Sequence, residues 1–374
     1  MGNDFDNPGL SSNIDWPDAF PLPDPDGVGP PGTEVGCRHE DDTASTMTAR
    51  QTSGKTCWIV SDGKAGVETQ CRAIAEELRL RVSLKRVAPR RPWRWLAPYG
   101  APDPGLAIGQ AASDFGSPWP DFIIAGGRMT VPVVRALRRM IGQGTYTVFL
   151  QDPRIRNDVA DLIWVPQHDR RRGPDVFTTL TTPHRLTLDA LAKRRTKVPD
   201  FMADDRGMRL SVLVGGNSRS HTFSDADMSR FMAALERFAP HFGALYVTAS
   251  RRTPPALAQQ ISQFMHSRAG LLWDGSGANP LHDFLAHADH LIVTSDSANM
   301  VCEACITGRP VHLFHPSGGS AKFDRLHHAL EAAGAVRTLS TNANEIAQWQ
   351  YTPLSATEVI ADEIKRRWAQ ASAA

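Results

Sequence analysis

What the sequence lacks narrows its function first. Net charge is nearly absent: 41 Lys and Arg balance 40 Asp and Glu to leave +1 at pH 7, so the broad basic field of a nucleic-acid binder is missing. No apolar run reaches the length of a membrane-spanning helix. The opening MGNDFDNPGL is polar and acidic rather than a signal peptide, and Asp6 stands where a myristoylation signal usually has Ser or Thr. A cytoplasmic protein is expected. Five cysteines (Cys37, Cys57, Cys71, Cys302 and Cys305) are odd in number and irregular in spacing, which excludes a disulfide framework and a complete thiolate metal set. Cys302 and Cys305 form a CxxC inside the helical pattern MVCEACI, and small buried side chains are the expectation there. The 13 histidines form no HExxH or HxxxH, and His168 and His184 read as structural.

The remaining composition is that of a globular chain. At 374 residues, 41% hydrophobic and 22% charged, it is long enough for two cores. Residues 1–52, with PDAFPLPDPDGVGPPG, are too poor in apolar side chains to offset the entropy of ordering and are expected to be a disordered tail. Thereafter apolar runs alternate with amphipathic segments. CWIVS, the turn DGKAG and the helical ETQCRAIAEELRL form a strand–turn–helix unit, with Cys71, Ile74, Ala75 and Leu78 at helical spacing. DFIIAGG with MTVPVVRALRRMI repeats the unit, and YTVFLQD and DLIWVP follow as buried strands. Residues 186–207 are polar and read as a connection. A second series then begins: LSVLVGG, a helix capped by Ser224, ALYVTAS, TPPALAQQI, HLIVTSDS, ANMVCEACITG and PVHLF. A last helix is expected near residues 356–371. Strands alternating with helices in both halves predict an α/β fold with parallel sheets.

Ligands of such sheets bind beyond the carboxyl ends of strands, which selects six loops: 61–66, 126–128, 151–154, 215–220, 250–253 and 295–299. In VLVGGNSRSHTFS, Gly215 and Gly216 allow close backbone approach, while Asn217, Ser218, Ser220 and Arg219 offer polar and cationic groups before a helix start; the plain alternative is a tight turn. This loop is neither GxxxxGK[ST] nor GxGxxG. Ser250, Arg251 and Arg252 suit a diphosphate or, equally, solvent. Ser295 and Ser297 precede a helix that carries Glu303, a candidate ribose acceptor or an exposed helix glutamate. On the other half, Asp62 is a candidate general base or helix cap, Lys64 a phosphate or acceptor contact, and Asp152 an alternative base. From Arg81 to Trp95 the chain has six basic residues, two tryptophans and no acid; this suits an anionic membrane surface, or tryptophans in a core among solvated arginines.

SDGKAGVETQ, AGGRMTVPVV, LQDPRI, VLVGGNSRSHTFS, NPLHDFLAHADHLIVTSDSANMVCEACITGRPV and KFDRLHHAL, in this order, resemble the bacterial relatives of the plant elongated-mitochondria (mitochondrial fission) family. The resemblance covers essentially the whole chain after the tail. It implies a GT-B-like fold, two Rossmann-like domains with parallel sheets facing across a cleft: residues 53–200 for an acceptor, 201–345 for a nucleotide-sugar, and 346–374 a helix crossing back to the first domain. It also implies a donor diphosphate near Gly216, Asn217, Arg219 and Ser297, a base near Asn279 and Leu281, a ribose at Glu303, and Asp62 and Lys64 facing the acceptor. Met129 stands where family members often carry a second basic residue after Gly127 and Arg128. The implied activity is a metal-independent glycosyltransferase with no cofactor, moving a sugar from a nucleotide donor to an envelope saccharide or lipid acceptor. Peripheral contact with the inner membrane would run through 81–95. The alternatives are a non-catalytic scaffold that recruits a partner at a membrane, and a sugar-nucleotide epimerase.

Overall fold

Strands written as unbroken apolar runs are those buried on both faces. The computed structural model describes residues 52–155, 158–340 and 346–373; the expected tail lies, but for Thr52, outside them. In the first half, β1 (Thr56–Ser61), β2 (Arg81–Arg86), β3 (Phe122–Gly126), β4 (Tyr146–Leu150), β5 (Leu162–Pro166) and β6 (Val176–Thr179) form one sheet in the order β2-β1-β3-β4-β5-β6. In the second, β7 (Arg209–Val214), β9 (Ala244–Ala249), β10 (Gly270–Trp273), β11 (His290–Thr294), β12 (Val311–Phe314) and β14 (Val336–Thr338) form another, in the order β10-β9-β7-β11-β12-β14. Every pairing within these two sheets is parallel. β8 (His221–Thr222) and β13 (Ser317–Gly318) pair antiparallel outside them.

Both sheets are covered on two faces, as parallel sheets require. The helices are α1 (Ala65–Glu77), the short α2 (Trp93–Leu96), α3 (Val131–Ile141), α4 (Leu188–Arg195), α5 (Asp225–Phe238), α6 (Pro255–Met265), α7 (Leu281–His287), α8 (Ala298–Cys305), α9 (Ala321–Ala332) and α10 (Ala356–Ala373). Alternate residues of β1 divide between layers: Cys57 and Ile59 pack with Ile74 of α1 and with Ile360 and Ile364 of α10. Trp58 and Val60 pack with Val134 and Leu137 of α3. β7 divides likewise, Val212 and Val214 toward Phe231 and Ile261, Leu213 toward Val301 and Leu326. The chain is therefore α/β, with two Rossmann-like parallel sheets. Among the described residues no helix is long and apolar enough to cross a membrane.

The strand orders place the functional loops. Each sheet reverses its direction of growth once, between β1 and β3 in the first and between β7 and β11 in the second, and a crevice opens at such a point. The loops that begin at 61, 126, 215 and 295 flank those two crevices. All the described residues belong to one compact unit, and the carboxyl edges of the sheets meet in it. Lys322 of α9 pairs with Asp169 beyond β5 at 2.8 Å, and Arg325 donates to the His168 carbonyl at 3.0 Å.

Two local readings change. Residues 186–207 contain α4, capped by the Thr187 hydroxyl, which accepts from the Ala190 amide at 3.1 Å. Leu191 is its one buried residue, so no apolar stripe announced it. Residues 81–86, read as part of a basic surface segment, are the edge strand β2. Val82 and Leu84 are partly buried against the core, Arg81 and Arg86 are exposed, and the Lys85 ammonium lies over the Trp58 ring at 5.2 Å, a pattern that edge strands tolerate.

Candidate functional site

The second-half loops are organised by a residue that the sequence reading passed over. Asp296, between the two candidate serines, has a side chain 0% exposed. Its carboxylate accepts from the Gly216 amide at 2.9 Å, the Thr294 hydroxyl at 2.7 Å and the Arg252 guanidinium at 3.2 Å. Thr294 in turn accepts from the Gly215 amide at 2.7 Å. The glycine pair is needed because these partners are so near: a Cβ on Gly215 would strike the Asp296 carboxylate, and one on Gly216 the Arg252 backbone. Both glycine amides are thus engaged within the protein.

The rest of that loop is similarly braced. Asn217 accepts from the Phe223 amide at 2.8 Å, and Ser218 from the Ser220 and His221 amides at 3.2 and 3.1 Å. Arg219 is exposed and forms no ion pair among the described residues. Beyond it Ser224 forms a capping box with Asp227 at the start of α5. The paired arginines separate in role. Arg252 donates to the Gly216 and Asn217 carbonyls at 3.3 and 3.2 Å besides its bond to Asp296, whereas Arg251 lines a cavity.

That cavity, about 820 Å³, lies over the carboxyl ends of β9 and β10 beside β7. Ser250, Arg251, Asn279 and Leu281 all line it, together with Trp273 and Met300. It is therefore where four of the candidate residues converge. Trp273 was not anticipated, since no strand was read over residues 270–273; only part of its side chain is covered, and its Nε1 donates to the Ser276 carbonyl at 2.7 Å. Asn279 accepts from the Leu281 amide at 2.9 Å where α7 starts.

Ser295, Ser297 and Glu303 are not in the lining of this cavity. Ser295 is buried with its hydroxyl lacking a protein partner. Ser297 is the N-cap of α8 and makes no side-chain cap bond. Glu303 is half-buried on α8 rather than an exposed helix glutamate, and burial pushes its carboxyl up to about 7. Among the described residues no group of three His, Cys, Asp or Glu side chains converges to hold a metal ion.

On the first sheet, Asp62 is not a helix cap; Lys64 occupies the N-cap of α1. The Asp62 side chain is 2% exposed and pairs with Lys64 at 3.0 Å. Its Oδ1 has no partner. The carboxylate lies against Gly127, where a Cβ would come within 2.6 Å and where φ is +96°, so glycine is required on both counts. Asp152 is less available as a base, since it accepts from Arg171 at 3.1 Å and from the Arg154 amide at 2.9 Å. His168 and His184 are buried, and burial lowers both to about 4, so each is neutral at pH 7.

The two tryptophans of the basic segment differ in exposure. Trp93 is half-buried and lines a small cavity with Met129, Pro132 and Val133, while Trp95 is exposed with the Arg91 guanidinium over its ring at 5.1 Å. Arg128, directly after the β3 crevice, donates to the carbonyls of Ala97 at 2.7 Å and Arg94 at 3.3 Å. It fixes this segment to the Asp62 loop's neighbour.

Comparison with known proteins gives the family. The mitochondrial fission ELM1 model matches residues 65–368. Mitochondrial fission protein ELM1 of Arabidopsis thaliana is 26% identical over 275 residues, covering 67% of this chain and 64% of that protein; the chain thus spans just under two thirds of the plant protein's length. Uncharacterized protein RP120 of Rickettsia prowazekii (strain Madrid E) is 23% identical over 282 residues, covering 66% of this chain and 79% of that one. Among solved structures, MurG of Acinetobacter baumannii aligns with a TM-score of 0.45 at 13% identity, over 83% of this chain and 99% of that one; the fold assignment rests on the two sheets' own topology. By the family match over most of its length, the chain belongs to the mitochondrial fission ELM1 family.

Proposed function

We propose that this protein is a metal-independent glycosyltransferase that takes a nucleotide-sugar in the 820 Å³ cavity of its second half and transfers the sugar to an envelope saccharide or lipid. The cavity itself is the observation that carries the reading. It has the volume of a small-molecule site, sits beside a strand-order reversal, and joins an aromatic face, Trp273, to a guanidinium, Arg251, that forms no ion pair among the described residues. A base against Trp273, Asn279 and Leu281, with its diphosphate at Ser250 and Arg251, uses that pairing. Arg219, Ser295, Ser297 and Glu303 then line the way toward the first sheet, with Glu303 accepting from ribose.

The Asp296-braced loop shapes this reading further. Gly215 and Gly216 hold the loop in place, so their share in donor binding is to shape the wall rather than to cradle phosphate. We assign residues 53–200 to the acceptor and 201–345 to the donor. Asp62, with one carboxylate oxygen unpartnered, is the general base that takes the acceptor hydroxyl proton. Lys64 pairs with it at 3.0 Å, and positive side chains stabilise the leaving diphosphate.

The test is thermal unfolding with saturating UDP-, GDP-, ADP- and CMP-sugars. A ligand that binds only the native state must raise the melting temperature, so at least one donor is expected to do so. No shift with any of the four removes the reading.

A further inference from the structure

We propose that residues 90–99 are a membrane-seating element, which docks the first half of the protein onto an anionic lipid surface. Large hydrophobic side chains are costly to leave in water. Yet Trp95, Leu96 and Tyr99 are 64%, 51% and 71% exposed. They are three of the eight large exposed hydrophobics among the described residues, and they fall within five positions of one another. Such clustering is unlike the scatter of single apolar residues on an ordinary surface.

The charges around them point to the occupant. Arg91 lies over the Trp95 ring at 5.1 Å, and neither Arg91 nor Arg94 has a carboxylate partner among the described residues. Arg128 adds a third cation, which donates to backbone carbonyls and neutralises no acid. Arg90 is offset, because Asp103 accepts from it at 2.8 and 3.0 Å. Indole and phenol rings settle at the headgroup level of a bilayer, and unpaired arginines beside them are drawn to anionic lipid. A purely apolar protein groove would leave those cations desolvated and unpaired.

The element is also tied to the first half. Trp93 shares a small cavity with Met129, Arg90 pairs with Asp103, and Arg128 donates to the carbonyls of Arg94 and Ala97. Because Arg128 follows directly on Gly127, which touches Asp62, a docked bilayer would lie next to the first sheet's crevice. An amphiphilic acceptor could then enter from the lipid side. This goes beyond the nucleotide reading, and the lipid contact does not depend on it.

The test uses the full chain in vesicle co-sedimentation, with phosphatidylcholine alone and with phosphatidylcholine containing phosphatidylglycerol. Binding is expected on the anionic vesicles, weakened by high salt. The combined Trp95→Ser, Leu96→Ser, Tyr99→Ser variant should lose about tenfold or more in partitioning. Arg91→Ser and Arg94→Ser should each lose about fivefold. Both sets should keep the parent's melting temperature and its response to nucleotide-sugars. The proposal is overturned by no vesicle binding, by equal binding to neutral and anionic vesicles, or by unchanged partitioning of the triple variant. A nucleotide-sugar shift that survives any of these outcomes leaves the donor reading in place.

Discussion

The Gly216 amide donates to the Asp296 carboxylate at 2.9 Å, across a sequence separation of 80 residues. That one bond joins the loops after β7 and β11, and the Arg252 guanidinium brings in the loop after β9. A carboxylate with no exposure and three donors cannot be removed cheaply, because each donor is left facing a void. Asp296→Ala is expected to destabilise by about 2–4 kcal/mol, with Asp296→Asn losing less. Urea denaturation measures this, and a loss under about 0.5 kcal/mol would show that the loops hold without it.

Glu303 gives a pH signature. Burial raises its carboxyl to about 7, above the usual glutamate range near 4.3. Between those values the unfolded chain has released the proton that the native chain keeps, so stability falls as pH rises through this window and levels off above it. Glu303→Gln should therefore be more stable than the parent at pH 8, by about 1–2 kcal/mol after discounting for solvent screening. The difference should vanish near pH 4. Chemical unfolding at several pH values checks the crossover. A pH-independent difference would remove the raised carboxyl from the account.

In the cavity, Arg251→Ala should weaken a nucleoside diphosphate about tenfold, while affecting the bare nucleoside little, since a charge-assisted contact to phosphate is lost. Trp273→Ala should weaken both by up to about tenfold through loss of ring contact. Calorimetric titration separates the two patterns, and interchange of them would reverse the assigned orientation of the ligand.

For the first sheet, Asp62→Asn should leave the melting temperature within a few degrees of the parent and lower turnover about 100- to 10,000-fold once a donor and acceptor are found, as loss of a general base does. Unchanged turnover would move the base elsewhere.

Much of the fold could be read because parallel strands leave an unmixed signal. FIIAG, YTVFL and HLIVT are buried at every position, and each was legible as a strand without reference to a partner. Edges were harder: three of the six residues of β2 are basic, and their charge masked its alternation. α4 was hidden for the opposite reason, having one buried leucine and no periodic face. The site divides in the same way. Ser250, Arg251, Asn279 and Leu281 follow strands or open a helix, where position alone suggests contact, and they share the cavity. Asp296 is flanked by two serines that looked like phosphate donors, and its role arises from loops distant in sequence. Trp273 went unread because the short strand that carries it, β10, was not read at all.

The buried thiols supply a simpler check. Cys302 is raised to about 11 and Cys71 to about 12 by burial, and Cys57 and Cys305 are raised as well. Since thiolate is the reactive form, a Cys37→Ser variant should consume no Ellman's reagent until unfolded. Rapid labelling of the native protein at the CxxC would contradict the buried reading.

The last helix alters how the chain can mature. Ile360 and Ile364 of α10 fill the layer beside Ile59 and Ile74, so the first sheet's interior is finished by residues made after the whole second sheet. During synthesis the early half must wait, with an apolar flank uncovered, while the whole later half is made. Assembly includes a stitch across the whole second half, and the nascent protein's need for chaperones should be greatest just before that stitch is made.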